Sequence, residues 1–345
     1  MRALILAGGK GTRLRPLTVY TPKPIVPLIN RPFLLFQLEI LRNAGIAEIT
    51  LSLSYQPDKI EHLLGDGSEF GVNLNYVTEP SPLGTAGAYR FAADPDSTTI
   101  VINGDILTDI DISEVIGFHG EKNADATIVL APVDDPAAYG LVTTGQNETI
   151  TGFVEKPKPG DFKDQSVNTI NAGIYILERS ILDLIPKGEN RSFEYDVFPM
   201  ILEKEMSFFG YTLKDEYWRD IGNCKSYLAA HHDFLAGRIK GFDVERSDVS
   251  DVATAASIDK SSIVGSECTI KPGAKIVNSV IGAGVNIEEK AVIENSVIWP
   301  HARISTAAEV RGAIIGRGSH IGRNVIVGEG SVLGDKTSLP DYSRV

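Results

Sequence analysis

Short apolar runs alternate with amphipathic stretches along the first 131 residues of this chain. Arg2 to Ala7, Glu48 to Leu53 and Thr99 to Ile102 read as buried strands, while Phe33 to Asn43 carries its apolar positions at helical spacing. That alternation predicts an α/β domain with a mostly parallel, mixed sheet and ligand-binding loops at the strands' carboxyl ends. Between Thr127 and Tyr211 the runs shorten, with turns at Gly140, Gly145, Gly152 and Lys156 to Gly160, as in an extension of the sheet. Asn223 is placed to cap a helix over Cys224 to Leu235, which Gly237 and Gly241 end. A boundary near Lys240 then divides the chain into residues 1–240 and 241–345.

Beyond that boundary the period changes. Ile258, Val264, Ile270 and Ile276 are spaced by six, and Ile281, Ile287, Ile293, Ile298, Ile304, Val310, Ile315, Ile321, Val327 and Leu333 continue the series. Ile281, Ile298 and Ile315 stand seventeen apart, so three short strands make one coil and one side is a residue shorter. Apolar residues at this spacing point inward and stack coil upon coil, with Gly265, Gly282, Gly316, Gly322, Gly328 and Gly334 following core positions at the corners. The pattern predicts a parallel β-helix, with His301 and His320 as solvated corner residues.

The 345 residues carry 33 Lys and Arg against 45 Asp and Glu, a formal net charge of −12. An acidic chain without a basic face is no nucleic-acid binder, and its first apolar run is too short for a signal peptide or membrane span. Cys224 and Cys268, the two cysteines, fall in different expected domains and suggest neither a disulfide framework nor a zinc site, consistent with a reducing cytoplasm.

Against that acidity stands a local cationic island. The first strand runs into Leu6-Ala7-Gly8-Gly9-Lys10-Gly11-Thr12-Arg13-Leu14, followed by Pro22-Lys23-Pro24, and Lys10, Arg13, Arg15 and Lys23 fall within fourteen residues that contain no acid. Glycines let backbone N–H groups approach an anion closely, so the turn is read as a triphosphate cradle. It is neither a dinucleotide fingerprint, since Leu14 stands where a third glycine is needed, nor a Walker loop, which requires Gly-Lys-Ser/Thr where this chain has Gly9-Lys10-Gly11.

Gly9-x-Gly11-x-Arg13-Leu14 with Pro22-Lys23-Pro24 resembles the signature of the sugar-1-phosphate nucleotidylyltransferases. Leu83 to Gly87, Asn103-Gly104-Asp105, Tyr139-Gly140, Phe153 to Pro157, Asn171-Ala172-Gly173 and Trp218 to Gly222 match that family in order, over nearly the whole chain. Mannose-1-phosphate guanylyltransferases, whose catalytic domain precedes a hexapeptide-repeat tail, are the branch implied. The resemblance implies a Rossmann-like nucleotidyltransferase domain and a left-handed β-helix serving oligomerisation or regulation. It also implies in-line attack of a sugar phosphate on the α-phosphorus of a nucleoside triphosphate, a step that needs positioning and charge neutralisation rather than a protein nucleophile.

On this reading Leu6, Ala7, Gly8, Gly9, Gly11 and Thr12 line the nucleotide, Arg13 contacts the departing pyrophosphate and Lys23 stabilises the α-phosphate. Gly84 and Thr85 belong to the same pocket. Asp105 and Asp220 are expected to hold Mg2+, a hard ion suited to carboxylate oxygens and phosphates. Tyr139, Gly140, Glu155, Lys156 and Asn171 are assigned to the sugar phosphate. Glu79 faces the nucleobase: a carboxylate only accepts hydrogen bonds, and guanine offers two adjacent donors, so GTP is favoured. Another sugar, such as a heptose, glucose or an amino sugar, is not excluded. A non-catalytic regulatory paralogue fits less well, because Arg13, Lys23, Asp105 and Asp220 are all present.

Overall fold

The computed structural model describes residues 1–134, 136, 139–155, 168–244 and 251–345. It divides into two compact units, and the chain passes through each of them twice: residues 1–9 with 34–218, and residues 10–33 with 219–345. The glycine turn therefore begins in one unit and continues in the other at Gly9–Lys10.

The first unit is built on a nine-stranded mixed sheet. Its main path runs Ile150–Glu155, Gly140–Thr144, Thr169–Leu177, Thr99–Asn103, Arg2–Leu6, Glu48–Leu53 and Asn73–Thr78; Ala126–Pro132 joins at Thr169–Leu177 and carries Phe208–Thr212 beside it. Arg2–Leu6 pairs in parallel with both neighbours, Leu4 opposite Val101 on one side and Thr50 on the other. Thr169–Leu177 runs antiparallel to Thr99–Asn103, and an irregularity between Asn171 and Tyr175 breaks its register with Ala126–Pro132. Strand order reverses at Arg2–Leu6, which makes the crevice beside that strand's carboxyl end the expected ligand position in an open α/β sheet. The core behind it is aromatic: Tyr175, Phe193 and Phe198 are fully buried, with ring centroids 5.2 to 5.5 Å apart.

Residues 251–339 of the second unit form three parallel sheets of six, five and five strands. Ile270, Ile287, Ile304 and Ile321 stack in one register, Ile276, Ile293, Val310 and Val327 in a second, and Ile281, Ile298, Ile315 and Leu333 in the third. All but Leu333 are buried to within 1% of full exclusion from solvent. The shorter side of each coil has a physical cause that periodicity alone did not disclose. Asn278, Asn295 and Gly312 turn that corner at φ of 46°, 50° and 57°. After the first two of these corners a buried serine follows, Ser279 and Ser296, and Ser262 stands one coil before them. Ser262 Oγ accepts from the Ser279 N–H at 3.1 Å, Ser279 Oγ from the Ser296 N–H at 3.0 Å, and Ser296 Oγ from the Ala313 N–H at 3.1 Å. The ladder satisfies backbone donors that a tighter turn leaves without sheet partners.

His301 and His320 are both exposed, His301 at a corner with φ 61°. Among the described residues no helix is long and apolar enough to cross a membrane.

Candidate active site

In the first unit Gly8, the Glu79–Leu83 loop and the Asp105 turn converge on the end of Arg2–Leu6. The Gly104 N–H donates to the Leu6 carbonyl at 2.9 Å, and a Cβ at Gly104 would stand 2.7 Å from that oxygen and 3.0 Å from the Ala7 Cα. Only glycine permits so close an approach, and it sets Asp105 beside Leu6 and Ala7. On the other flank the Ser54 hydroxyl donates to the Gly8 carbonyl. A Cβ at Gly8 would lie 2.9 Å from Glu79 Oε1.

Glu79 is engaged within its own surroundings. Its Oε1 accepts from the Ser52 hydroxyl at 3.0 Å and its Oε2 from the Leu83 N–H at 3.1 Å, which closes the Glu79–Leu83 loop. Each carboxylate oxygen has two lone pairs, so acceptor capacity remains on both. Ser52 and Ser54 escaped the sequence reading; the signal was their position at the carboxyl end of Glu48–Leu53.

Gly84 and Thr85 open the Gly84–Ala92 helix, and their setting is dominated by packing. A Cβ at Gly84 would meet the Arg191 carbonyl at 2.5 Å, and the N–H groups of Ala86 and Gly87 donate to that same carbonyl at 3.0 and 3.1 Å. The helix N-terminus is thus capped by the protein's own backbone. The Thr85 hydroxyl donates to Glu194 at 3.0 Å and accepts from the Phe193 N–H at 2.9 Å.

Of the residues assigned to the second substrate, Tyr139, Gly140, Glu155 and Asn171 also lie in this unit. Gly140 is paired with Glu155, whose Oε2 would stand 2.6 Å from a Cβ at Gly140. The Tyr139 ring packs edge-on against Trp218 with centroids 5.6 Å apart, and the Trp218 Nε1–H donates to the Ala172 carbonyl at 2.8 Å. Asn171 Nδ2 donates to the Tyr175 hydroxyl at 2.9 Å and its Oδ1 accepts from the Gly173 N–H at 2.9 Å, so this side chain holds the strand irregularity in shape. Lys156 lies outside the described residues.

The second unit carries the cations. Gly11 adopts φ 60°, its carbonyl accepts from the Thr18 hydroxyl at 2.7 Å, and a Cβ there would press on Lys23 Cβ at 3.0 Å and Thr18 Cγ2 at 3.1 Å. Thr18, buried to 1%, is therefore the clasp of the turn, and sequence reasoning passed over it. Lys23 starts a 3-10 turn between Pro22 and Pro24 and is only 9% exposed. Thr12 and Arg13 form part of a further short turn and are exposed.

Arg13 and Asp220 converge on one point. A Cβ at Gly222 would lie 2.9 Å from Arg13 Nη2 and 2.8 and 2.9 Å from the two Asp220 carboxylate oxygens. The adjacent Arg219 is fixed by buried Asp233, which accepts from its Nη2 at 2.7 Å and Nε at 3.1 Å and from Arg238 Nη1 at 2.8 Å. As the sequence predicts, Asn223 caps the Cys224–Leu235 helix, accepting from the Ser226 N–H at 2.9 Å. A cavity of about 650 Å³ opens elsewhere in this unit, between Cys224, Lys225 and His232 of that helix and Glu294, Arg311 and Glu329 of the β-helix.

On the same helix, burial pushes His231 down to about 4, while its Nδ1 bonds the Tyr227 carbonyl at 2.9 Å. Unfolded histidine takes up its proton near pH 6.5, before the folded form does, so acidification from 6.5 towards 4 removes stability. Between pH 7 and 5 the expected loss is about 2 kcal/mol from this group. Urea midpoints at both pH values check it: His231→Gln should flatten the change, and an equal loss in the variant would refute the assignment.

Comparison with known proteins agrees with this architecture. Residues 2–237 match the family model described as nucleotidyl transferase, and residues 244–345 match the LbH domain of the EIF2B epsilon subunit, a left-handed β-helix. The chain belongs to the nucleotidyl transferase family. It is 37% identical over 296 residues to the mannose-1-phosphate guanylyltransferase of Mycobacterium tuberculosis, covering 83% of this chain and 81% of the relative. A probable mannose-1-phosphate guanylyltransferase of Oryza sativa is 34% identical over 315 residues, covering 89% and 85%. The UTP–glucose-1-phosphate uridylyltransferase of a Synechocystis strain is 34% identical over 308 residues, covering 82% and 78%. Within the family the chain is a sugar-1-phosphate nucleotidylyltransferase. Enzymes of this family generally use a divalent metal ion.

Proposed function

We propose that this enzyme joins GTP and mannose 1-phosphate to give GDP-mannose and pyrophosphate. The observation that carries the transfer chemistry is the meeting of Arg13 and Asp220 at Gly222, in the unit that also holds buried Lys23. Backbone N–H groups from Gly8 to Thr12 bind the triphosphate, the Arg13 fork holds the pyrophosphate, and the Lys23 ammonium neutralises charge that builds on the α-phosphate. The sugar phosphate oxygen attacks the α-phosphorus while the bond to pyrophosphate breaks, and no side chain is consumed. Tyr139, Gly140, Glu155, Lys156 and Asn171 orient the sugar phosphate.

Asp105 and Asp220 offer the hard oxygen donors that suit Mg2+, which takes one or two carboxylates and completes its shell with phosphate oxygens and water. When bound, the ion supplies charge neutralisation at the phosphates. Residues 1–240 carry catalysis, residues 241–345 mediate homo-oligomer assembly, and the enzyme works in the cytoplasm.

Base choice rests on Glu79. Its two oxygens, each with a lone pair to spare, match the N1–H and amino group of guanine. The test is pyrophosphate release over a grid of GTP, ATP, UTP, CTP and dTTP against mannose, glucose, N-acetylglucosamine and heptose 1-phosphates. Turnover should concentrate in GTP with mannose 1-phosphate, and Glu79→Gln should lower the preference for GTP over UTP by about tenfold. Strong turnover with UTP and glucose 1-phosphate would transfer the assignment to the reaction named for the Synechocystis relative, and silence throughout would favour a regulatory paralogue.

A further inference from the structure

One residue of the β-helix breaks the repeat. Where each coil leaves its Ile263–Val264, Val280–Ile281, Ile314–Ile315 and Val332–Leu333 strands, the next residue is Gly265, Gly282, Gly316 and Gly334; after Val297–Ile298 it is Trp299. The glycines at this corner are sterically required, since a Cβ at Gly282 or Gly316 would approach neighbouring backbone atoms to within 2.5 to 2.6 Å. A tryptophan there needs a compensating contact, and it is buried to 1%. Its Nε1–H donates at 3.0 Å to the hydroxyl of Tyr227, itself fully buried on the Cys224–Leu235 helix. The Tyr227 hydroxyl in turn donates to the Pro27 carbonyl.

Pro27 belongs to the hairpin that follows Lys23. Pro27–Leu28 pairs with Arg31–Pro32, and Ile29 and Asn30 turn the tip at φ of 48° and 62°. The same face of the β-helix holds this segment at two further points: Asn30 Nδ2 donates to the Ile281 carbonyl at 2.8 Å, and a Cβ at Gly334 would stand 3.1 Å from Pro16 Cβ. Two coils of one sheet thus meet residues 30 and 16 directly and a third reaches residue 27 through Tyr227, on both sides of Lys23. Among these corner positions Trp299 alone carries a side chain, and its hydrogen bond reaches the segment through the Tyr227 hydroxyl.

We propose that Trp299 is a positioning residue for nucleotidyl transfer, acting through the Tyr227 hydroxyl on the backbone that carries Lys23. The β-helix is then a part of the active-site scaffold as well as an assembly element. This inference rests on the reading of Lys23 as the α-phosphate cation. Trp299→Phe keeps an aromatic ring and removes the donor; Tyr227→Phe keeps the ring and removes the hydroxyl that relays it.

In the full-length chain, each variant should lower kcat about tenfold with KM for both substrates within twofold, because misplacing a charge by a fraction of an ångström acts on the transition state. The double variant should be no worse than Tyr227→Phe alone, since both changes act through one hydroxyl. Light scattering and thermal melting should show unchanged assembly and a folded protein. Unaltered kcat in both single variants, or losses that simply add in the double, would overturn the proposal. Lys23→Ala run in parallel separates the two readings: if it retains full turnover, the assignment of Lys23 fails, whereas an inactive Lys23→Ala beside fully active Trp299→Phe and Tyr227→Phe defeats the relay alone.

Discussion

Lys23→Ala is expected to lower kcat by about 10²- to 10³-fold, the loss typical when one preorganised charge-stabilising donor is removed from a transfer site. The geometry makes this a clean experiment. The Lys23 Cβ is what crowds Gly11, and alanine keeps that atom, so the packing of the glycine turn survives the change. Prolines on both sides fix the backbone, and the side chain is 9% exposed, so the ammonium is held in place before substrate arrives. The melting temperature, read beside kcat, shows whether the folded state survives the change. Pyrophosphate release at saturating GTP and mannose 1-phosphate, with a melting curve on the same preparation, measures both quantities. A kcat within threefold of the parent enzyme would remove Lys23 from the chemistry.

Much of this protein was legible in residue order because its signals are local. The strand Arg2–Leu6, the helix cap at Asn223 and the coil period all follow from short-range pattern, and the structure reproduces each of them. The signature segments could be located but not partitioned. Residues 10–33 fall among the catalytic motifs in sequence, yet they belong to the same compact unit as the β-helix, a non-local fact carried by Asn30, Pro16 and Tyr227.

The polar assignments show a second limit. The motifs place Thr85 and Asn171 at the site, but residue order does not disclose the bonds that hold them there, to Phe193 and Glu194 and to Gly173 and Tyr175. A motif records which residue types a site needs, while the division of labour between touching a ligand and holding the loop depends on partners distant in sequence. Thr18 was invisible because a lone hydroxyl has no periodicity to announce it, and Ser52 and Ser54 were signalled only by their place at the carboxyl end of Glu48–Leu53.

Gly222→Ala should lower kcat by about 10- to 100-fold without unfolding the protein. Glycine is not required there by a left-handed backbone, since Gly222 is absent from the positive-φ glycines, so alanine brings no backbone strain. The added methyl would instead sit 2.8 to 2.9 Å from Arg13 Nη2 and both Asp220 carboxylate oxygens, inside their van der Waals envelopes. Contacts that short require the side chains to retreat by several tenths of an ångström, which the long Arg13 side chain absorbs by rotation and the short Asp220 absorbs only by turning its carboxylate. Both residues then stand away from the position at which pyrophosphate departs, and a shift of about 1 Å is enough for a hundredfold loss. Single-turnover rates, melting temperature and KM for GTP distinguish the cases. A slow chemical step in a protein of parental stability supports the convergence of Arg13 and Asp220 as the transfer site; a parental rate would mean that neither side chain needs its present place.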